Sequence, residues 1–128
     1  MTITEAIKKM SPKSAFSYFD RKLRYEIGPV ELKEKLGSND SDYQVIDVRS
    51  REAYQEGHIP GAKLVPYEEF GSRTWEFTED KDNIVYCYSH VCQLGDHAAR
   101  WLAERGYPVK LLTGGFDVWK EMGHHVEQ

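Results

Sequence analysis

Residues Ile84 to Arg100, IVYCYSHVCQLGDHAAR, read as a buried strand, a cysteine, a short polar loop and the start of a helix. The strand is the apolar run Asn83-Ile84-Val85-Tyr86-Cys87, and the helix carries Leu94, Ala98, Trp101 and Leu102 on one face until Gly106 stops it. A loop that wraps a cysteine and enters a helix turns backbone N–H groups inward, and these groups, with the positive helix end, favour an anion. The same field is expected to lower the thiol's pKa and enrich the nucleophilic thiolate. Cys87 is therefore a candidate nucleophile for attack on sulfur or phosphorus, in a loop able to hold a charged adduct. The plainer alternative is a small hydrophobe at the end of a strand.

On the N-terminal side, Gly28-Pro29 is punctuation, and Val30 to Leu36 reads as a short helix with Leu32 and Leu36 inward, ended by Gly37. Tyr43 to Val48 is a run of β-formers, Arg51 to Gln55 about one helical turn, and Lys63 to Val65 a shorter strand. On the C-terminal side, Val109 to Leu112 is another strand, and Phe116 to Met122 a last helix with Val118 and Trp119. Strands alternating with helices over short loops predict an α/β fold. Its central sheet is mostly parallel, of about five strands, and flanked by helices on both faces. In such sheets sites gather at the carboxyl ends of strands. Cys87 ends one strand; Asp47 and Arg49 end another.

Residues 1–27 read as an N-terminal helical extension to a domain spanning 28–128. Thr4 is the expected cap of its first helix, and Pro12 limits that helix or opens the next. Phe16, Phe19, Leu23 and Ile27 fall at helical spacing. Their stripe either covers one flank of the domain or forms a homodimer contact.

The 128 residues fit one domain able to bury roughly two thirds of its unfolded surface without metal or disulfide staples. A hydrophobic fraction of 40% with 12% aromatics excludes a disordered chain. The net charge of −4 is scattered in both signs, without the basic block that nucleic-acid binding needs. No run approaches the roughly 20 apolar residues of a membrane span. Without a signal-like leader, the expected location is the cytoplasm. There the two cysteines, Cys87 and Cys92, are expected to be reactive or free rather than a structural disulfide. Their spacing with the histidines matches no common zinc pattern, so neither metal nor cofactor is expected.

Over residues ~28–123 the sequence resembles the rhodanese domain family. Val45-Ile46-Asp47-Val48-Arg49 is similar to the family's strand ending in Asp-Val-Arg. Glu52-Ala53-Tyr54 and Gly57-His58-Ile59-Pro60-Gly61-Ala62 are similar to its Glu-(aromatic)…Gly-His-Ile-Pro-Gly-Ala stretch. Val85-Tyr86-Cys87 resembles the catalytic strand, and Leu112-Thr113-Gly114-Gly115-Phe116 with Trp119 and Gly123 the closing motif. Singly weak, the four are strong in series. The resemblance implies a rhodanese-like sheet and a sulfurtransferase. Cys87 would take a sulfane sulfur from a small sulfur-containing anion such as thiosulfate, or from a persulfide, and pass it to a thiol or cyanide. Asp47 and Arg49 are expected to pair and brace the strand end, and His58 to bond a neighbouring loop. Gly57 and Gly61 are expected to make turns that a β-carbon would hinder.

The active loop Tyr88-Ser89-His90-Val91-Cys92-Gln93 is enlarged relative to the family's and holds no arginine or lysine. Ser89 and Gln93 offer neutral hydrogen bonds, and His90 a charge below its reference pKa of roughly 6.5. Cys92 completes a Cys-x4-Cys variant, as a resolving thiol, the reactive thiol itself or a bystander. Rhodanese-fold phosphatases place an arginine six residues after the cysteine, to clamp an oxyanion bidentately. Gln93 stands six after Cys87 and Ala98 six after Cys92, so phosphatase activity is not expected. The other rival is a non-catalytic, sulfur-carrying or redox-sensing module acting through a partner.

Overall fold

The apolar runs around Val45 and Ile84 become the two inner strands of one parallel sheet. The computed structural model describes residues 2–5 and 11–128. Its strands are β1 (Glu26–Ile27), β2 (Tyr43–Asp47), β3 (Lys63–Leu64), β4 (Asp82–Tyr86) and β5 (Val109–Leu112), all paired parallel in the order β1-β5-β4-β2-β3. Before, between and after them come α1 (Pro12–Tyr25), α2 (Pro29–Leu36), α3 (Arg51–Glu56), α4 (Leu94–Glu104) and α5 (Gly115–Glu121). Two 3₁₀ turns, Tyr67–Ser72 and Thr74–Glu76, link β3 to β4. Among the described residues no helix is long and apolar enough to cross a membrane.

Period-two alternation divides the core. Val45, Ile84 and Tyr86 face one layer with Leu32, Phe116 and Trp119, while Ile46, Val85 and Cys87 face the other with Ala98, Leu102 and Phe70. Because both faces are covered, these strands read as continuous apolar runs rather than as an in/out pattern. The register sets Val45 beside Ile84, Ile46 beside Val85 and Asp47 beside Tyr86. A strand carrying Asp47 thus ends level with the strand that leads into Cys87.

The N-terminal extension departs from its expected packing. Ile27 is not the last member of a helical stripe but a buried residue of edge strand β1, paired with Leu112. Phe16, Phe19 and Leu23 do not cover a flank; they are 71%, 57% and 81% exposed. Helix α1 is instead held by local devices: Ser11 at its N-cap, Pro12 at its first position, and the i,i+4 pairs Arg24–Asp20 and Lys22–Glu26. Upstream, residues 3–5 are helical and the Glu5 N–H donates to Thr2 Oγ1, so Thr2 rather than Thr4 makes the cap. The expected continuation of that first helix over 6–10 lies outside the described residues.

One buried network ties the strand ends together. Arg49 Nη2 donates to Asp47 Oδ2 at 2.7 Å and to the Gly57 carbonyl at 2.6 Å, with Asp47 wholly buried and Arg49 4% exposed. Tyr86 Oη donates to the same Asp47 oxygen at 2.7 Å and accepts from the Ile59 N–H. The guanidinium lies 4.2 Å from the Phe116 ring centroid. Burial opposes the charge on Arg49, but the bonds and field of Asp47 outweigh it and hold the guanidinium's pKa above its ordinary value. Burial, then the charge of Asp47, pushes the Tyr86 hydroxyl far above the usual phenol range. Breaking a buried pair by removing one partner strands the other charge. Asp47→Ala is therefore expected to lower the unfolding free energy by about 3–5 kcal/mol in urea titrations. A loss below about 1 kcal/mol, the scale of an exposed ion pair, would contradict the bracing role.

Candidate active site

Cys87 sits one residue beyond β4, with its loop pinned from below by α5. The Phe116 N–H donates to the Cys87 carbonyl and the Asp117 N–H to the Tyr88 carbonyl, each at 2.9 Å. The chain reaches this contact through two left-handed glycines, Gly114 at φ +82° and Gly115 at φ +64°. A β-carbon on Gly115 would stand 2.8 Å from the Cys87 carbonyl oxygen and 2.9 Å from Ser89 N. The closing Gly-Gly motif is thus a steric condition of the active loop. Above the sulfur lies Gly95 in the first turn of α4; a β-carbon there would touch Cys87 Sγ at 3.4 Å and clash with Leu111 Cδ1 at 2.8 Å.

The thiol itself is buried, 3% exposed. The Sγ–H donates towards the Cys92 carbonyl at 3.3 Å and the Ser89 carbonyl at 3.7 Å. Burial, reinforced by the adjacent Cys92 thiol, pushes the Cys87 pKa up to about 11, against backbone N–H groups of Gly95 and Ser89 that favour the thiolate. The expectation of a lowered pKa is corrected: inward N–H groups are present, but desolvation of the sulfur is larger. Cys92 is partly exposed, and the two free cysteines approach to 3.5 Å.

Both cysteines open onto a cavity of about 200 Å³. Ser89, His90 and Asp96 wall it on the loop side, and the extension closes it with Lys22 and Glu26, paired at 2.9 Å. The loop carries no permanent cation of its own, yet the site has one, brought by the end of α1. Tyr88 is placed elsewhere: it packs against Arg49, its hydroxyl accepts from the Ser50 N–H, and it lines a separate cleft with Asp117 and Lys120. Val91 and Gln93 line a third cleft with His97 and Arg100, which His90 also reaches. A larger apolar groove of about 530 Å³, beside Tyr25, Tyr107 and Pro108, contains neither cysteine and no nucleophile, so the chemistry marks the smaller cavity. Among the described residues no group of three or more His, Cys, Asp or Glu is arranged to hold a metal ion.

The remaining singled-out residues stand behind the loop. Asp47 and Arg49 are joined as described, and Nδ1 of His58 lies 2.8 Å from the Tyr54 carbonyl with the two rings stacked at 3.7 Å. His58 also exchanges backbone hydrogen bonds with Glu127. Gly61 takes φ +77°, while Gly57 is extended and is needed for space, since a β-carbon there would meet Val126 Cγ1 at 2.9 Å. Sequence reasoning missed Lys22, Glu26 and Asp96 in the site and Tyr86 beneath it. The i,i+4 spacing of Lys22 and Glu26 was a visible helix signal; nothing in it showed that α1 would end beside the cysteines.

The Rhodanese-like domain family model matches residues 28–122. The chain is 34% identical over 118 residues to the HTH-type transcriptional regulator Rv0324 of Mycobacterium tuberculosis, covering 92% of this chain but 46% of the regulator. It is 32% identical over 80 residues to the thiosulfate sulfurtransferase GlpE of Pseudoalteromonas translucida, covering 62% of this chain and 74% of GlpE. Relative to the regulator and to a probable molybdopterin-synthase adenylyltransferase of Porphyra purpurea, of which it covers 25%, the chain spans less than half the length. Among solved structures, the BH2092 protein from Bacillus halodurans superposes with a TM-score of 0.85 at 32% identity, over 91% of this chain and 86% of that one. With the parallel sheet, the strand-end cysteine and these likenesses together, the chain belongs to the rhodanese-like domain family.

Proposed function

We propose that this protein is a sulfurtransferase that carries sulfane sulfur as a persulfide on Cys87. The observation that carries the reading is Cys87 at the mouth of β4, facing a cavity, with the Gly95 and Ser89 amides turned to its sulfur. The Cys87 thiolate attacks the outer sulfur of thiosulfate or of an organic persulfide. The donor's S–S bond breaks, and sulfite or a thiolate leaves. An acceptor thiolate then attacks the outer sulfur of the Cys87 persulfide and restores the Cys87 thiolate. The inward amides favour the charged sulfur in each step. The likeness to GlpE supports this chemistry, and the absence of a loop arginine or lysine leaves the donor to be set by other groups.

Cys92 is assigned the resolving role, because it approaches Cys87 to 3.5 Å. Its thiolate attacks Sγ of persulfidated Cys87, the Sγ–S bond breaks, hydrosulfide leaves and a Cys87–Cys92 disulfide forms. An external dithiol reopens that disulfide and is itself oxidised. A second reading, a sulfur- or redox-sensing module, is favoured by the likeness to a transcriptional regulator over nearly the whole chain. It uses the same two thiols but needs no turnover.

Intact mass after donor treatment, with peptide mapping, is expected to find Cys87 carrying one added sulfur or joined to Cys92 in the disulfide that follows it. Cys87→Ser is expected to reduce transfer by at least about 10²-fold, and full activity in that variant would sink the assignment. Cys92→Ser is expected to keep the persulfide on Cys87 and lose the disulfide; a Cys87→Ser variant that acquires the persulfide on Cys92 would reverse the two roles. The raised thiol pKa sets the pH dependence. Because the neutral thiol is favoured in the fold, the thiolate fraction grows with pH until about 11. Loading is expected to rise about tenfold per pH unit between roughly pH 7 and 9.5. A plateau below pH 8 would contradict a thiol held neutral by burial.

A further inference from the structure

The walls of the cysteine cavity carry an unusual mixture of charges for a site that receives a sulfur anion. Lys22 and Glu26 stand one turn apart at the end of α1, and Asp96 stands in the first turn of α4. Lys22 is the one permanent cation of this lining, beside two carboxylates. Inorganic thiosulfate brings two negative charges and no positive one. Like charges held close together in a partly enclosed cavity repel one another. Such a lining works against a dianion.

It is well matched to a ligand with one charge of each sign. The Lys22–Glu26 pair is an i,i+4 pair with side chains 45% and 29% exposed, a kind that contributes only a few tenths of a kcal/mol. A ligand carboxylate can take the ammonium of Lys22 from Glu26 at little cost. Glu26, also 3.5 Å from Thr113 Oγ1, and Asp96 then remain for a ligand ammonium. The cavity of about 200 Å³ is below the drug-sized range and holds one amino-acid-sized molecule beside both sulfurs.

We propose that Lys22, Glu26 and Asp96 select a small zwitterionic organic persulfide of amino-acid type as the sulfur donor, in preference to inorganic thiosulfate. Lys22 holds the donor's carboxylate, and Glu26 and Asp96 its ammonium. The inference rests on the sulfur-transfer reading and specifies its substrate class. The Cys87 thiolate attacks the terminal sulfur of R–S–S–H, the S–S bond breaks, the terminal sulfur and its proton stay on Cys87, and R–S⁻ leaves. Lys22 is thereby a specificity residue supplied by the extension to a loop that has no cation of its own.

The test measures rates of sulfur loading on Cys87, counted by mass and peptide mapping as its persulfide plus the Cys87–Cys92 disulfide that follows, from cysteine persulfide, the uncharged 2-hydroxyethyl persulfide and thiosulfate. In the natural protein cysteine persulfide is expected to load about tenfold or more faster than thiosulfate at equal concentration. Lys22→Ala is expected to slow cysteine persulfide about tenfold and 2-hydroxyethyl persulfide less than about twofold. Glu26→Gln combined with Asp96→Asn is expected to speed thiosulfate loading. Equal slowing of both persulfides by Lys22→Ala would show a structural role and overturn the proposal, as would thiosulfate loading fastest in the natural protein. That last outcome leaves sulfur transfer standing, whereas no loading from any donor removes sulfur transfer itself.

Discussion

The buried pair of Asp47 and Arg49 is the constraint on which the rest of the site depends. Two charges at the end of an interior strand are tolerated because they face each other at hydrogen-bond distance and take further bonds from their neighbours. Arg49 spends its guanidinium on Asp47 and the Gly57 carbonyl, and Asp47 accepts in addition from Tyr86 Oη. Tyr86 is the residue before Cys87, so the pair fixes the direction in which the chain leaves β4. The Ile59 N–H on Tyr86 Oη and the Gly57 carbonyl on Arg49 fix the loop between α3 and β3 to the same point. An apolar replacement of the set could equal its stability, but it would lack the directional bonds that align strand end, loop and Phe116.

Those bonds hold one face of the sheet, and the active loop lies over the other. Alternation sends Tyr86 to the layer of Phe116 and Trp119 and Cys87 to the layer of Ala98 and Leu102. The two α5 amides on the Cys87 and Tyr88 carbonyls join the layers across the strand end. Gly115 is required there because the backbones touch, and at Gly95 a β-carbon would meet Leu111 Cδ1 at 2.8 Å where α4 offers its amide to the sulfur. Positioning in this site is done by backbone, which explains how an active loop with few charged side chains still addresses a thiol.

Much of this was legible in the sequence, and the remainder was not for definable reasons. The runs around Val45 and Ile84 are β-rich, largely apolar and bounded by turn residues, so their strands and the parallel sheet followed from pattern. Edge strand β1 is two residues long and pairs through its backbone with Leu111 and Leu112, a length too short for any periodicity to show. Ile27 therefore looked like the last member of a helical stripe. Phe16, Phe19 and Leu23 form an amphipathic pattern that a sequence displays whether or not a partner surface exists in the same chain. Asp47, Arg49 and Cys87 were readable as strand-end residues, whereas Lys22 enters the site from a distant segment. The thiol's raised pKa also escaped, because the sign of the shift depends on depth of burial, which a motif does not encode.

That burial is compatible with a nucleophile once its two effects are weighed. Raising the pKa from an ordinary 9.0 to about 11 reduces the thiolate fraction at neutral pH about 100-fold. A more basic thiolate is also a better nucleophile, and a Brønsted slope of ~0.5 returns about tenfold of that loss. The net penalty is about tenfold, or ~1.4 kcal/mol, small beside the roughly 7–11 kcal/mol available from holding reactants in a productive geometry. The same burial keeps the resting thiol neutral and poorly accessible, and so slow to be oxidised or alkylated at random. On the proposed sulfur-transfer reading, Cys87 is better described as a protected nucleophile, revealed when a donor enters the cavity beside it, than as a standing thiolate. On this account selectivity belongs to the walls of that cavity and to the residues that charge them.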